Sequence, residues 1–182
     1  MKLKGLLIAC VVVAANGVAH AEKTVQVGGA AMYASKDIID NAVNSKDHTT
    51  LVTAVKAADL VATLKGAGPF TVFAPTNAAF AKLPTGAVDS LLKPESKDKL
   101  AGVLTYHVVP GKMDSKAIAA LIKKGNGTAT LKTVAGGTLT ASMMGSKLML
   151  KDEKGGSAMV TIADVYQSNG VIHVVDTVLM PN

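Results

Sequence analysis

The hydrophobic pattern changes from helical spacing to alternation near Gly127, and this change constrains the fold more than any other feature of the chain. Before Gly127, apolar residues recur three or four positions apart in short segments, which is typical of helices. After it, short apolar runs, mostly alternating with polar residues, predict strands separated by glycine-containing turns. The predicted strands are Thr128–Val134, Thr138–Met143, Lys147–Lys151, Ala158–Ile162 and Val171–Leu179. Helices followed by antiparallel strands indicate an α+β fold.

The first part of the chain carries six predicted helices and two short strands. The strands are Phe70–Ala74 and Tyr106–Val109. The first helix follows the cap Ser35 and contains Ile38 to Val43. The other helices run from Thr49 or Thr50 to Gly66, over Asn77–Leu83, Ala87–Leu92 and Lys97–Leu104, and from Asp114 or Ser115 to Gly125. Residues 22–36 show little periodicity and predict a flexible or loosely packed arm before a domain at 37–182.

One motif lies at Gly68–Pro84, with the sequence GPFTVFAPTNAAFAKLP. Its β-branched and aromatic run predicts a buried strand that ends at Pro75, because proline cannot donate to a strand ladder. Thr76 and Asn77 then predict the capped start of a short helix. The motif therefore predicts a strand that passes directly into a helix.

Two further motifs complete a family resemblance: TYHVVPG at Thr105–Gly111 and NGVIHVVDTVLMP at Asn169–Pro181. The motif at Asn169–Pro181 is apolar enough to predict a strand covered on both faces. With Gly68–Pro84, these motifs resemble the fasciclin (FAS1) domain family in order and spacing, in its bacterial secreted single-domain type. The resemblance implies a β-sandwich or wedge with several helices packed around one side and end. It also implies that strand Phe70–Ala74 pairs with the late strands.

The N-terminus predicts export. Lys2 and Lys4 precede an apolar segment too short to span a bilayer, and Ala19-His20-Ala21 has the small-x-small pattern of a cleavage site. We therefore expect a signal peptide at residues 1–21, and a secreted or periplasmic protein that is not transmembrane after cleavage. An alternative is a lipoprotein lipidated at Cys10, but the apolar run continues past that residue.

Composition excludes several classes of function. Cys10 is the only cysteine, so the mature chain is expected to contain no disulfide, thiol nucleophile or cysteine metal site. Loss of the two signal lysines lowers the formal net charge from +6 to +4, and the remaining lysines are scattered along the sequence. The chain contains no arginine and few aromatic residues, which argues against nucleic-acid binding.

Three groups of residues are candidates for a site. His107, His173 and Asp176 could form a metal or acid–base site, or each could satisfy backbone groups; the second interpretation is favoured because no metal-binding spacing is present. The resemblance implies receptor recognition by the tyrosine–histidine motif, here Tyr106, His107, Val108 and Val109. The methionines of the strand half could form an adaptable apolar surface or fill the core.

These observations predict an exported, non-catalytic adhesion or binding module with no cofactor or metal. Its partner is expected to be an extracellular or envelope protein or polysaccharide. The alternative is a carrier of a small apolar ligand such as a carotenoid, for which the family offers a precedent.

Overall fold

A seven-stranded mixed sheet forms the centre of the fold in the computed structural model, which describes residues 24–182. The strands of the described chain are β1 Val25–Val27, β2 Ala30–Met32, β3 Phe70–Pro75, β4 Val108–Pro110, β5 Thr128–Lys132, β6 Thr138–Met144, β7 Lys147–Lys151, β8 Ser157–Gln167 and β9 Gly170–Val175. Strands of the large sheet lie in the order β4-β3-β9-β8-β7-β6-β5. The Val134 amide donates to the Val108 carbonyl at 2.8 Å, so the chain just after β5 approaches β4 at the opposite edge.

Strand β3 lies parallel to β9, whereas every other pair in the sheet is antiparallel. The prediction that the Phe70–Ala74 strand pairs with the late strands is therefore confirmed. All six residues of β9 are buried, which confirms that this strand is covered on both faces. The core sits on either side of these two adjacent strands.

Helices surround the sheet on one side and cover part of it on the other. They are α1 Ile38–Ala42, α2 Thr49–Ala57, α3 Val61–Lys65, α4 Asn77–Ala81, α5 Ala87–Leu92, α6 Lys97–Tyr106 and α7 Ser115–Lys124, with 3₁₀ turns at Lys46–His48 and Pro94–Ser96. Helices α1 to α6 share one apolar core with β3, β8 and β9. Helix α7 packs its buried Ile118 and Ile122 against the strands β5 to β8 in a second core. The predicted α+β sandwich or wedge with helices around it is confirmed.

Side-chain caps set several helix starts. Asp114 accepts from the Ala117 amide at 2.8 Å and Thr76 accepts from the Ala79 amide at 3.2 Å, so both predicted caps are confirmed. Helix α1 is capped by Asp37 rather than by the predicted Ser35. The single helix predicted from Thr49 to Gly66 is wrong, because Asp59 adopts φ +60° and separates α2 from α3.

The expectation of a loosely packed arm is wrong for residues 24–36. Strands β1 and β2 form an antiparallel hairpin, and Val27 and Met32 are each only 4% exposed. The Lys46 amide donates to the Gly28 carbonyl at 3.2 Å, which ties the turn of the hairpin to the chain ahead of α2. Burial of two apolar side chains therefore fixes a segment that shows little periodicity in the sequence. The proposed signal peptide at residues 1–21 lies outside the described residues.

Strand β8 is longer than predicted, because it continues through an irregularity after Ile162. Its register with β9 shifts between Val160 and Val165, and Asp164 adopts φ +59° in this bulge. Both carboxylate oxygens of Asp164 bind Ser115, accepting from its amide and its hydroxyl at 2.6 Å. The bulge thereby positions the start of α7 over the sheet.

Candidate functional site

The four residues Tyr106–Val109 lie inside the protein. Their exposed fractions are 0% for Tyr106, 2% for His107, 4% for Val108 and 2% for Val109. The predicted strand is wrong at its start, since Tyr106 ends α6, His107 follows as its C-cap, and β4 begins at Val108. None of the four side chains therefore lies at the surface. Partner binding by these four residues stays a prediction, and direct contact would require the core to open.

Tyr106 connects the helices to the hairpin of β6 and β7. Its hydroxyl donates to the Thr138 carbonyl at 2.6 Å and accepts from the Glu153 amide at 3.3 Å. Its ring fills the space beside Gly137, where an added Cβ would lie 2.7 Å from the ring. Burial raises the pKa of the phenol, so the hydroxyl stays protonated and can donate. Tyr106 therefore acts as a structural anchor.

The two histidines of the sandwich region join separate backbone segments. His107 Nδ1 lies 2.8 Å from the Val103 carbonyl, and its Nε2 accepts from the Leu179 amide at 3.0 Å. Burial removes water from the ring and disfavours its charged form, which lowers the pKa of His107 to about 4. The ring is therefore neutral, as a ring that donates with one nitrogen and accepts with the other must be. His173 Nε2 likewise faces the Met113 carbonyl at 2.9 Å, and burial lowers its pKa. The interpretation that these histidines satisfy backbone groups is confirmed.

Asp176 also has a structural role. It accepts from the Met159 amide at 2.9 Å, and its carboxylate lies 3.7 Å from the Lys82 ammonium. Within residues 24–182, no cluster of three or more His, Cys, Asp or Glu side chains has the arrangement of a metal site.

An apolar cavity of about 50 Å³ lies beneath the helices α1 to α3. His107 and Val108 line it, together with residues such as Leu51, Val55 and Ile172. For comparison, an engineered cavity of about 150 Å³ holds benzene, and pockets for larger ligands measure about 300–1,000 Å³. The cavity is therefore too small for a carotenoid unless the helices move apart.

His48 also lines this cavity, and the sequence patterns did not indicate it. Its Nδ1 lies 2.9 Å from the Ser45 hydroxyl, while its buried Nε2 forms no hydrogen bond within the described chain. Desolvation lowers the pKa of His48, although the nearby Ala74 carbonyl acts in the opposite direction. No local sequence pattern marks His48 as a cavity residue, because the walls of the cavity come from segments that are distant in the sequence.

A larger groove is open to solvent between the start of α7 and the strands β6 to β8. Its volume is about 400 Å³. Ala119 contributes apolar surface, the nearly buried Leu148 and Val160 form the floor, and Lys116 and Lys147 contribute two cations. This surface, which we call the α7 groove, is large enough to receive several side chains of a partner.

Methionine exposure is concentrated at the end of β6 beside the α7 groove. Met143 lines the groove with 42% of its surface exposed, and Met144 is 58% exposed. Met180 instead packs against the helical core. The methionines of the strand half therefore divide between the two predicted roles, and Met143 supports an adaptable apolar contact surface.

Comparisons with known proteins agree with this architecture. The model of the fasciclin domain matches residues 46–181. Protein sll1483 of Synechocystis is 46% identical over 179 residues, which cover 98% of this chain and 92% of that protein. Cell surface glycolipoprotein MPB83 of Mycobacterium bovis is 35% identical over 159 residues, covering 85% of this chain and 64% of that protein.

Among solved structures, the FAS1 domain pair from the insect cell adhesion molecule Fasciclin I superimposes with a TM-score of 0.70. The match covers 80% of this chain and 51% of that one, at 17% sequence identity. At this identity the similarity establishes the shared fold.

Proposed function

The chain belongs to the fasciclin domain family, and from this membership we propose that it is an exported, non-catalytic binding module of the adhesion type. The name of the mycobacterial relative places that protein at the cell surface, and the solved structure comes from a cell adhesion molecule. Both names support a role in contact with partners outside the cytoplasm. The partner proposed for this chain belongs to the cell envelope or the extracellular matrix.

Export rests on the N-terminal sequence, with cleavage after Ala21 and no lipid on Cys10. Within residues 24–182, no helix has the length and apolar character needed to cross a bilayer. We expect the intact mass of the exported protein to equal that of a chain beginning at Glu22. A mass that corresponds to a diacylated N-terminal Cys10 would contradict this.

The observation that carries the proposal is the difference between the two concave surfaces. The α7 groove has about 400 Å³ open to solvent, whereas the cavity beneath the helices has about 50 Å³. A macromolecular partner can reach the groove without rearrangement of the core. Direct recognition at Tyr106–Val109, by contrast, would require exposure of side chains that are at most 4% exposed.

The chemistry of the groove indicates the kind of segment that it receives. Lys116 and Lys147 lie at the groove, and neither forms an ion pair within the described chain. Met143 provides apolar contact above a floor formed by the nearly buried Leu148 and Val160. A partner segment that combines carboxylates with apolar side chains is complementary in both charge and polarity.

A charge reversal in the groove tests the proposal. We expect Met143→Asp combined with Lys116→Glu to lower the affinity for isolated envelope material of the source cells by about tenfold or more, because it removes an apolar contact and a cation together. Both positions are exposed, so the melting temperature should change little. The measurement is the fraction of protein bound as a function of envelope concentration.

The matched control is Lys93→Glu with Lys99→Glu, which alters exposed lysines on the helical side. It should retain the affinity of the unchanged protein. If the two variants lost affinity equally, binding would depend on net charge, and the groove would not be the binding surface.

The alternative is the transport of a small apolar ligand, for which the cavity beneath the helices would have to enlarge. This cavity is almost entirely apolar, and the buried imidazole of His48 could bind one polar group of such a ligand. A carrier should yield a ligand when the native exported protein is extracted with organic solvent. Recovery of a stoichiometric ligand would favour this alternative, and the helices α1 to α3 would then have to move to admit it.

A further inference from the structure

The outer face of the strands β5 to β8 has a regular and unusual composition. The four strands pair without register shifts from Thr128 to Met159, so that every second side chain points away from the core. One row crosses the sheet as Thr130, Thr140, Lys151 and Ser157. The row beside it is Thr128, Ser142, Met149 and Met159. Hydroxyl, methionine and lysine side chains make up this surface, which we call the outer sheet face.

Lysines supply the charges in the rows of the outer sheet face. Lys132, Lys147 and Lys151 are exposed and form no ion pair within the described chain. The carboxylates at its borders are already engaged: Glu153 accepts from the amide and hydroxyl of Thr138, and Asp176 binds the Met159 amide and lies near Lys82. The fold therefore gathers lysines that are scattered in the sequence onto a surface whose rows between Thr128 and Met159 carry no acidic side chain, with Glu153 at the border beside Thr138.

The spacing of these lysines favours an extended anion over a compact one. Lys147 and Lys151 lie about 13 Å apart along β7, from about 3.3 Å per residue, and Lys132 and Lys151 lie on strands separated by about 10 Å. These are backbone separations, and three cations spread in this way along and across the strands match a polymer with a repeating negative charge.

The other side chains of the face fit a sugar polymer. The hydroxyls of Thr128, Thr130, Thr140, Ser142 and Ser157 have no hydrogen-bond partner within residues 24–182. They can donate to or accept from sugar hydroxyls. Met149 and Met159 are cross-strand partners and half-buried, and they offer an apolar strip for the C–H faces of sugar rings.

We propose that the outer sheet face binds an extended polysaccharide whose carboxylates repeat along the chain, as in a polyuronate. The lysines attract the carboxylates, and the hydroxyls and methionines contact the rings between them. The proposal rests on the proposed function in one respect, that the protein is exported to a compartment where such polymers occur. It concerns a surface distinct from the α7 groove, although Lys147 borders both.

Binding to polygalacturonate, with dextran as the neutral polymer and polyglutamate as the non-sugar polyanion, tests the proposal. We expect the mature protein to bind polygalacturonate in about 50 mM salt. Binding should be weaker in about 300 mM salt, since salt screens exposed charges. Binding to dextran should be at least about tenfold weaker, and so should binding to polyglutamate. The variant Lys132→Gln/Lys151→Gln should lose about tenfold in affinity with an unchanged melting temperature.

The control variant Lys93→Gln/Lys99→Gln removes the same charge from the helical side and should bind as the unchanged protein does. The groove variant Met143→Asp should also bind polygalacturonate, so that failure of the groove proposal is distinguishable from failure of this one. Absence of polygalacturonate binding, equal binding of dextran or polyglutamate, or equal loss in the control variant would each overturn the proposal.

Discussion

Replacement of Tyr106 by alanine is expected to lower the free energy of unfolding by about 3–5 kcal/mol, the usual cost of truncating a fully buried aromatic side chain. Tyr106 is 0% exposed and fills the space beside Gly137. The substitution would leave a cavity between α6 and the hairpin of β6 and β7, and would leave the Thr138 carbonyl without its donor. Equilibrium denaturation in urea measures the change.

Two further variants separate the contributions of ring and hydroxyl. Tyr106→Phe retains the ring and should cost about 1–2 kcal/mol, because only the hydrogen bonds are lost. Tyr166→Ala is the matched control: Tyr166 is 41% exposed, and its truncation should cost less than about 1 kcal/mol. A Tyr106→Ala protein as stable as the Tyr166→Ala protein would show that the Tyr106 site is not packed as described.

Acid is expected to destabilise the protein well above the pH at which carboxylates titrate. The pKa of His107 is about 4 in the folded protein, against about 6.5 in an unfolded chain. Between these values the unfolded state binds the proton more readily, so the free energy of unfolding falls as pH falls from 6.5 towards 4. The shift corresponds to about 3 kcal/mol, and His48 and His173 act in the same direction because burial lowers their pKa values too.

Urea denaturation at several values between pH 7 and pH 4 measures this dependence. The lowered pKa values of Asp37, Asp114 and Asp176 affect stability mainly below about pH 5, so the change between pH 7 and pH 5 reports the histidines. His107→Gln should lower stability at pH 7 and flatten the pH dependence. A stability that stays constant from pH 7 to pH 4 would contradict the assignment of neutral buried histidines.

The strand half of the fold could be predicted because its pattern is local. Lys147–Lys151 matches β7 at both ends, and Thr138–Met143 differs from β6 by one residue. Helix α7 could also be predicted from the sequence, since Asp114 caps it and Gly125 ends it. Alternation, caps and glycine stops depend on neighbouring residues, and tertiary contacts did not alter them here.

The errors arise where tertiary contacts or unusual backbone angles decide the structure. Asp59 and Asp164 adopt positive φ without being glycine, so nothing local marked the break before α3 or the continuation of β8. The pair Tyr106-His107 suits a strand as well as a helix end. Its place in α6 depends on partners such as Thr138 and Leu179, which are distant in the sequence.

Dependence on tertiary contacts also explains why the sequence did not indicate the α7 groove as a candidate site. The α7 groove brings Lys116 at the start of a helix together with Met143 and Lys147 near a hairpin turn. These residues are about thirty positions apart, and only the pairing of β6 with β7 and the packing of α7 unite them. The family motifs, by contrast, mark residues that build the core.

Photo-crosslinking tests most directly the central claim that the partner binds at the α7 groove. A photoreactive amino acid is placed at Met143 in one protein and, as the matched control, at Val43 on the helical side, which is 49% exposed. After irradiation with native envelope material, we expect a covalent adduct from position 143 and none from position 43. An adduct from position 43 together with none from position 143 would show that the partner binds at the helices and not at the α7 groove.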